Sequence, residues 1–270
     1  MMFDFLLIFN LVVVSLYSLL FGSFLGVVID RSISGDQFFK GRSVCDHCKH
    51  LLNPIDLIPL FSFLKTKGNC RYCGAKISKW LLVYELGTLV FNLLIYFFVI
   101  YWLTLGGIES TFVFVFANVL WAIFLSDARY MLVPDFFFYI LVFVYLVYFA
   151  FYYLGFEFVL ANTFLGDHLY RFYGFMAMLI FFGGIYFFSK GKAMGFADVM
   201  LSTILAYVAG FRYSLAMWIL SFYFGTIFAI CLMAFKKKTF KGQIPFGPFI
   251  ILGFFATFIL GNALLRIYGI

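Results

Sequence analysis

The sequence predicts an all-α integral membrane protein with about eight transmembrane helices and one small extramembrane insertion. Hydrophobic residues make up 65% of the 270 residues and charged residues only 11%, whereas a soluble domain is about 25% charged. Apolar segments recur along the whole chain, and one long polar stretch interrupts them, at residues 30–79. These observations exclude an ordinary soluble fold.

The first apolar segment, residues 5–29, is long enough to cross a bilayer with some tilt. The preceding residues lack the basic stretch of a secretory signal, so we expect a retained helix. The later segments predict seven further helices. They lie at 80–104, 110–126, 136–155, 170–189, 199–211, 213–235 and 246–268. The predicted organisation is a first transmembrane helix (1–29), an insertion (30–79) and a helical membrane core (80–270).

The distribution of Lys and Arg predicts the orientation. Sixteen of the 19 fall in the first, third, fifth and seventh loops, and Arg171, Arg212 and Arg266 fall on the opposite side. Cytoplasmic loops carry the excess of positive charge, so these four loops should be cytoplasmic and both termini should lie on the opposite side of the membrane. The net charge of +7 is therefore read as membrane orientation, with no nucleic-acid partner. The cluster Lys236–Lys238 is a topology anchor that favours anionic lipid.

Asp127 and Asp198 adjoin unusually short apolar segments, on the side predicted to be cytoplasmic. Residues 111–126 would form about 24 Å of helix and residues 199–211 about 20 Å, against a hydrocarbon core of about 30 Å. We therefore expect both helices to continue through their aspartates. Ionisable groups at membrane depth are costly and mark functional sites.

A confined carboxylate pair predicts acid–base chemistry. The two groups cannot both ionise easily, so one keeps a proton while the other deprotonates a water. The simpler reading of either residue is a helix cap or loop residue, and that is our reading of Asp135, which follows Pro134. The competing functions are a proton-coupled transporter that relays protons through Asp127 and Asp198, and a scaffold without chemistry. A serine intramembrane protease is disfavoured, since no Gly-x-Ser-Gly motif is present.

The insertion contains two Cys-x-x-Cys motifs, Cys45/Cys48 and Cys70/Cys73, separated by 21 residues. This spacing is typical of a four-cysteine zinc ribbon, and a metal would stabilise so small a segment. The alternatives are redox thiols, or cysteines that bind nothing. His47 and His50 could replace a ligand but read more simply as solvated residues. Cys231 is interpreted as a packing residue.

Glu85 lies one turn inside the second apolar segment. An intramembrane glutamate is a candidate site residue. A partner for a Lys or Arg of the neighbouring loop is an equally good interpretation.

Taken together, the motifs resemble those of bacterial prepilin peptidases, also called type IV leader peptidase and N-methyltransferase. The resemblance rests on residues 22–31, the cysteine loop with residues 56–60, Ile77-Ser78 and Glu85, Asp127 with Pro134-Asp135, residues 195–198 and residues 244–248.

The resemblance implies a bifunctional membrane enzyme with Asp127 and Asp198 as the catalytic aspartates. Such enzymes cleave the basic leader of prepilin or pseudopilin precursors at the cytoplasmic face. Many then methylate the new N-terminus with S-adenosylmethionine, a step for which Glu85 is the candidate cofactor-binding residue. The oligomeric state is not predicted.

Three positions depart from the family pattern. Ala197 stands where the second glycine of a Gly-x-Gly-Asp motif is usual, Gly26 where an asparagine is common, and Lys79-Trp80 where an arginine and an aromatic residue are common. Alanine at 197 is acceptable unless that position requires a positive φ.

Overall fold

The computed structural model describes residues 2–37, 41–103, 107–156, 168–235 and 244–268. Lys40, Lys236–Lys238 and Lys241, which contribute to the predicted orientation, lie outside these ranges. The described residues are helical apart from connections and the insertion. The helices are α1 (Met2–Ser34), α2 (Phe61–Lys65), α3 (Trp80–Phe97, continued by a π-helical turn Phe98–Leu103), α4 (Gly107–Tyr130), α5 (Asp135–Tyr153), α6 (His168–Ser189), α7 (Phe196–Ala209), α8 (Phe211–Ala234) and α9 (Gly247–Tyr268).

The all-α membrane prediction is confirmed, with eight apolar helices in the described part of the chain. Six of them are long and apolar enough to cross a membrane. The two shorter ones are Phe196–Ala209 and Gly247–Gly261. As predicted, α4 and α7 include Asp127 and Asp198. The protein is a multi-pass membrane protein.

The chain divides into two compact units, Met1–Ala122 and Ile123–Ile270. In the first unit, α1 packs closely on α3 because two glycines of α1 face it. A Cβ on Gly26 would lie 2.5 Å from the Tyr84 ring, and one on Gly22 would overlap the Tyr84 carbonyl oxygen. Small residues let membrane helices approach in this way. An asparagine at 26 would thus require Tyr84 to move.

Buried polar bonds join the helices of the first unit. The Tyr84 hydroxyl donates to Asp30 at 2.9 Å, and Asn92 donates its amide to Ser18 at 3.1 Å. Such bonds hold apolar helices in register, because an unpaired polar group in hydrocarbon is costly.

The second unit contains a buried cation, Arg171, in the first turn of α6. Its side chain is only 2% exposed. Nη1 donates to the Tyr145 hydroxyl at 3.1 Å and to the carbonyl oxygens of Tyr207 and Val208 at 3.4 and 3.2 Å. These carbonyls belong to the last turn of α7, where a positive charge stabilises the helix dipole. The sequence analysis counted Arg171 among the cations of the non-cytoplasmic side. In the structure it is buried and caps the C-terminal end of α7.

Cys231 does not pack as the sequence analysis expected. Its side chain is exposed on α8. An apolar face left open by neighbouring helices is the face that lipid covers, so a small apolar residue is suitable there.

Candidate active site and metal centre

Asp127 lies in the last turn of α4 and is almost completely buried, with 7% exposure. Its Oδ2 accepts a hydrogen bond from the backbone N–H of Gly247 at 3.0 Å. The chain leaves the helix in a fixed direction, because the Met131 N–H donates to the Asp127 carbonyl at 2.8 Å. The buried Ser126 hydroxyl donates to the Leu132 carbonyl at 2.7 Å. Local bonds thus fix the backbone around Asp127, and the distant Gly247 N–H holds its carboxyl group.

Asp198 is the third residue of α7, whose N-cap is Gly195. Its half-buried carboxylate interacts with the backbone N–H groups of Gly195 and Gly247 and lies close enough to Asp127 for their negative charges to repel. An acidic residue at the third helical position often bonds back to the N-cap in this way. Asp198 therefore acts as a helix cap, which was the simpler interpretation of this residue. Its carboxylate also faces that of Asp127.

Gly247 is the site residue that the sequence analysis missed. It begins α9, and its N–H lies between the two carboxylates. The positive end of that helix stabilises negative charge there. A Cβ at this position would lie 2.7 Å from Asp127 Oδ2, so only glycine allows the approach. The available signal was the glycine at a predicted helix start, followed by Pro248.

Ala197 has ordinary helical backbone in the first turn of α7 and is not among the residues with positive φ. Position 197 therefore does not require a positive φ, and alanine does not disturb this motif. Asp135 is exposed in the first turn of α5, which agrees with its interpretation as a helix-start charge.

Two turns with the same pattern of backbone hydrogen bonds bring the four cysteines of the insertion together. In the first, Lys49 N–H donates to the Cys45 carbonyl at 2.9 Å and Cys45 N–H to the His50 carbonyl at 3.0 Å. In the second, Gly74 N–H donates to the Cys70 carbonyl at 2.9 Å and Cys70 N–H to the Ala75 carbonyl at 2.7 Å. Lys49 and Gly74 both adopt positive φ, 56° and 71°. Each Cys-x-x-Cys motif is thus a turn closed by its own backbone hydrogen bonds, and it brings its two thiols to the same side.

The donor set fits a tetrahedral metal ion. All four Sγ atoms lie within 4.8 Å of one another, and those of Cys45 and Cys73 are 4.0 Å apart. Zn–S bonds of about 2.3 Å in a tetrahedron place sulfur atoms about 3.8 Å apart. The backbone N–H groups of Cys48 and His47 lower the pKa of Cys45, which favours the thiolate that binds metal. His47 and His50 are exposed and outside this cluster.

Glu85 fixes the insertion to α3. Its side chain is 2% exposed, and Oε2 accepts the backbone N–H of Leu60 at 2.7 Å. Leu60 has a positive φ of 60°, which is unusual for a residue with a side chain. The Ser23 side chain also hydrogen-bonds the Glu85 carboxylate. The described geometry therefore gives Glu85 a positioning role, and its role toward the methyl donor stays a prediction.

The apolar helices define a multi-pass membrane protein, and the comparisons with known proteins add its class, a peptidase. Residues 16–99 match the family model described as Bacterial Peptidase A24 N-terminal domain. Residues 114–230 match the model described as Type IV leader peptidase family. The chain belongs to the type IV leader peptidase family. The first match includes the cysteines and Glu85, the second includes both aspartates, and Gly247 lies beyond both.

Curated relatives match over nearly the whole chain. One from Vibrio cholerae is 28% identical over 261 residues, 92% of this chain and 96% of the relative. One from Dichelobacter nodosus is 27% identical over 95% of this chain and 93% of the relative. One from Bacillus subtilis is 26% identical over 94% of this chain and 95% of the relative. All three are named prepilin leader peptidase/N-methyltransferase. No solved structure matches the chain.

Proposed function

We propose that this protein is a membrane aspartic endopeptidase that removes the leader of type IV prepilin-like precursors and then methylates the new N-terminus. The names of the relatives support both activities. The observation that carries the peptidase assignment is the meeting of Asp127 and Asp198 at the Gly247 amide. The proposal includes the orientation expected from the cation count, with the site at the cytoplasmic face and both termini outside.

In the proposed mechanism, the two carboxylates share the proton movements of peptide hydrolysis. Asp127, which accepts the Gly247 N–H, is assigned the removal of a proton from the attacking water. Asp198 is protonated and donates to the carbonyl oxygen as the water oxygen bonds to the carbonyl carbon. Collapse of the tetrahedral intermediate breaks the C–N bond. The leaving nitrogen takes the proton held by Asp127, and Asp198 recovers its own from the former carbonyl oxygen.

Recognition of the precursor rests on apolar helix docking rather than on attraction between loop and leader. The insertion carries nine Lys and Arg against four Asp, so it repels a basic leader. A charge-reversed insertion should still bind precursor. Loss of binding in a folded variant of this kind would contradict the idea.

The metal proposed for the insertion is zinc, held by Cys45, Cys48, Cys70 and Cys73. It would fix the two turns and supply folding free energy to the segment. S-adenosylmethionine supplies the methyl group in the second reaction. Glu85 is buried and bonded to the Leu60 N–H, and it stays the candidate residue for binding the methyl donor. Mass measurement of the cleaved product tests the methyl transfer.

The decisive experiment for the peptidase is cleavage of a precursor with a leader and an apolar helix. Asp127→Asn and Asp198→Asn keep the size of each side chain but remove the acid–base group, so each should lower cleavage at least about a hundredfold. Asp135→Asn is the matched control, because that carboxylate is exposed and should leave the rate unchanged. Full activity in either of the first two folded variants would remove that residue from the mechanism. The proton-coupled transporter considered above finds no support among the relatives.

A further inference from the structure

The insertion has an exposed apolar face between its two cysteine turns. The face is formed by the 3₁₀ turn Pro54–Leu57, by α2 and by the residues that join them. Contiguous apolar surface of this kind marks a protein or membrane interaction site. Its large side chains are 43–71% exposed: Ile55, Leu57, Ile58, Phe61 and Leu64. We call this surface the 55–64 face.

A hydrogen bond to α3 fixes the depth of this face in the membrane. The helical span Trp80–Ile100 has 21 residues, about 32 Å, which matches a hydrocarbon core of about 30 Å. Trp80 therefore lies near the membrane boundary, and Glu85 lies about 7.5 Å further along the axis. Glu85 Oε2 accepts the Leu60 N–H at 2.7 Å, and helical side chains lean toward the helix start. Leu60 is thus held close to the level of Trp80, at the membrane surface.

The charges beside the 55–64 face complement an anionic surface. Lys65 lies at the face itself, with Nζ 5.8 Å from the centre of the Phe61 ring. The acidic residue Asp56 is engaged within the insertion, since it accepts the Tyr72 hydroxyl at 2.8 Å and lies 3.6 Å from Arg71. Lys and Arg clusters at a membrane surface attract anionic lipid headgroups. Against that one carboxylate, residues 55–79 contain five cations: Lys65, Lys67, Arg71, Lys76 and Lys79.

The exposed side of α3 brings lipid to the same place. Leu86, next to Glu85, is 42% exposed, and Val90 and Leu94 follow it at helical spacing with 55% and 64% exposure. On a helix that spans a membrane, such a stripe faces lipid. Because the stripe begins beside the bond that holds Leu60, lipid that covers α3 also reaches the residues that flank Leu60.

We propose that the 55–64 face docks on the anionic headgroup layer of the membrane around α3. Phe61 and Leu64 enter the boundary between headgroups and acyl chains, and Lys65 and Lys67 contact lipid phosphates, as in other interfacial amphipathic segments. The insertion is then held by lipid as well as by Glu85. This surface belongs to the membrane protein whatever reaction it catalyses.

The first test places a photoreactive side chain on the face, with Leu64→p-benzoylphenylalanine in the full-length protein. Leu64 is 71% exposed, so the larger ring leaves the packing of the insertion intact. In nanodiscs of phosphatidylcholine and phosphatidylglycerol, irradiation should add the mass of one phospholipid to the peptide that contains residue 64. Leu94→p-benzoylphenylalanine, on the lipid-facing stripe, is the positive control. The exposed Asp46, in the first cysteine turn, is the comparison position and should give a much lower yield.

The second test concerns the charge of the lipid. Adducts at residue 64 should be enriched in phosphatidylglycerol relative to the composition of the nanodisc. Removing both lysines, with Lys65→Gln and Lys67→Gln, should lower this enrichment about fivefold, the factor that corresponds to about 1 kcal/mol of attraction. The charge-matched control is Arg42→Gln with Lys49→Gln, at exposed positions of the insertion outside the face. That control should keep the enrichment of the wild type.

Four outcomes would overturn the inference. Residue 64 could form no adduct, which would place the face in water, or it could link to a second copy of the chain, which would make the face a protein interface. Equal lipid addition at residues 46 and 64 would show no preference for the face. Equal loss of enrichment in both charge variants would assign the effect to net charge alone. An Asp127→Asn background should give the same adducts, so failure of the proposed peptidase function is measured separately.

Discussion

The cysteine cluster and the carboxylate pair are assembled in opposite ways. The cysteines come from two short turns whose backbone bonds close within five residues of each other, and the whole cluster spans residues 45–73. The carboxylate pair needs the end of α4, the start of α7 and the start of α9, with Asp127 and Gly247 separated by 120 residues. One centre is local and the other is made by tertiary packing.

The carboxylate pair should therefore survive removal of the metal, and the cysteine cluster should survive small changes at the helix ends. The local cluster should depend on the zinc proposed for it, since the helical turns of the insertion have no buried residues of their own. The carboxylate pair depends on the exact spacing of helix ends, which a change as small as a methyl group alters.

Removal of the metal should have the largest effect and should stay within the insertion. Structural zinc contributes about 10–16 kcal/mol to small zinc-binding peptides at neutral pH. After treatment with a chelator, amide exchange should become fast across residues 41–79 and stay slow in the apolar part of α8. Hydrogen-exchange mass spectrometry with metal analysis measures both. An insertion that stays protected after complete metal loss would show that the cluster is not its main source of stability.

Gly247→Ala should lower precursor cleavage about a hundredfold, because the new Cβ lies 2.7 Å from Asp127 Oδ2 and must displace it. Metal content should remain that of the wild type, since the cysteine site is built by other residues. Gly184→Ala is the control, with open space around its Cβ. Cleavage by Gly247→Ala at the wild-type rate would mean that the observed Gly247–Asp127 contact is unnecessary for activity.

Glu85→Leu should have the smallest effect, a local destabilisation of about 1–3 kcal/mol, because it leaves the Leu60 N–H without its acceptor. The exposed Lys65 and Lys67, in and just beyond α2, should become faster sites of trypsin cleavage. Glu85→Gln keeps an oxygen acceptor and should behave more like the wild type. Equal trypsin sensitivity in all three proteins would argue against Glu85 as an anchor of the insertion.

The sequence predicted the parts of the molecule whose signals are local. Apolar length located the eight helices, and cysteine spacing located the cluster, because each pattern is contained in a few dozen residues. The aspartates were singled out because each adjoins an apolar segment too short to cross a bilayer by itself.

The contacts of Gly247 and Arg171 could not be predicted from the sequence, because each joins helix ends that are distant along the chain. A glycine at a helix start is common, and only the approach of the start of α9 to the end of α4 makes this one a donor to a carboxylate. Likewise, Arg171 looks like an ordinary interfacial cation until α7 ends beside it. Both roles depend on helix ends that are distant in the sequence.

The shortness of α7 leaves both of its polar ends below the membrane surface. Its 14 residues make about 21 Å of helix, well below the hydrocarbon thickness of about 30 Å. Asp198 lies near one end and the carbonyls bound by Arg171 at the other, so neither polar end tolerates deep burial in lipid. Every residue of α7 after Phe196 is at least partly covered by neighbouring helices, so we expect water-filled recesses at the two ends of this helix rather than contact with lipid.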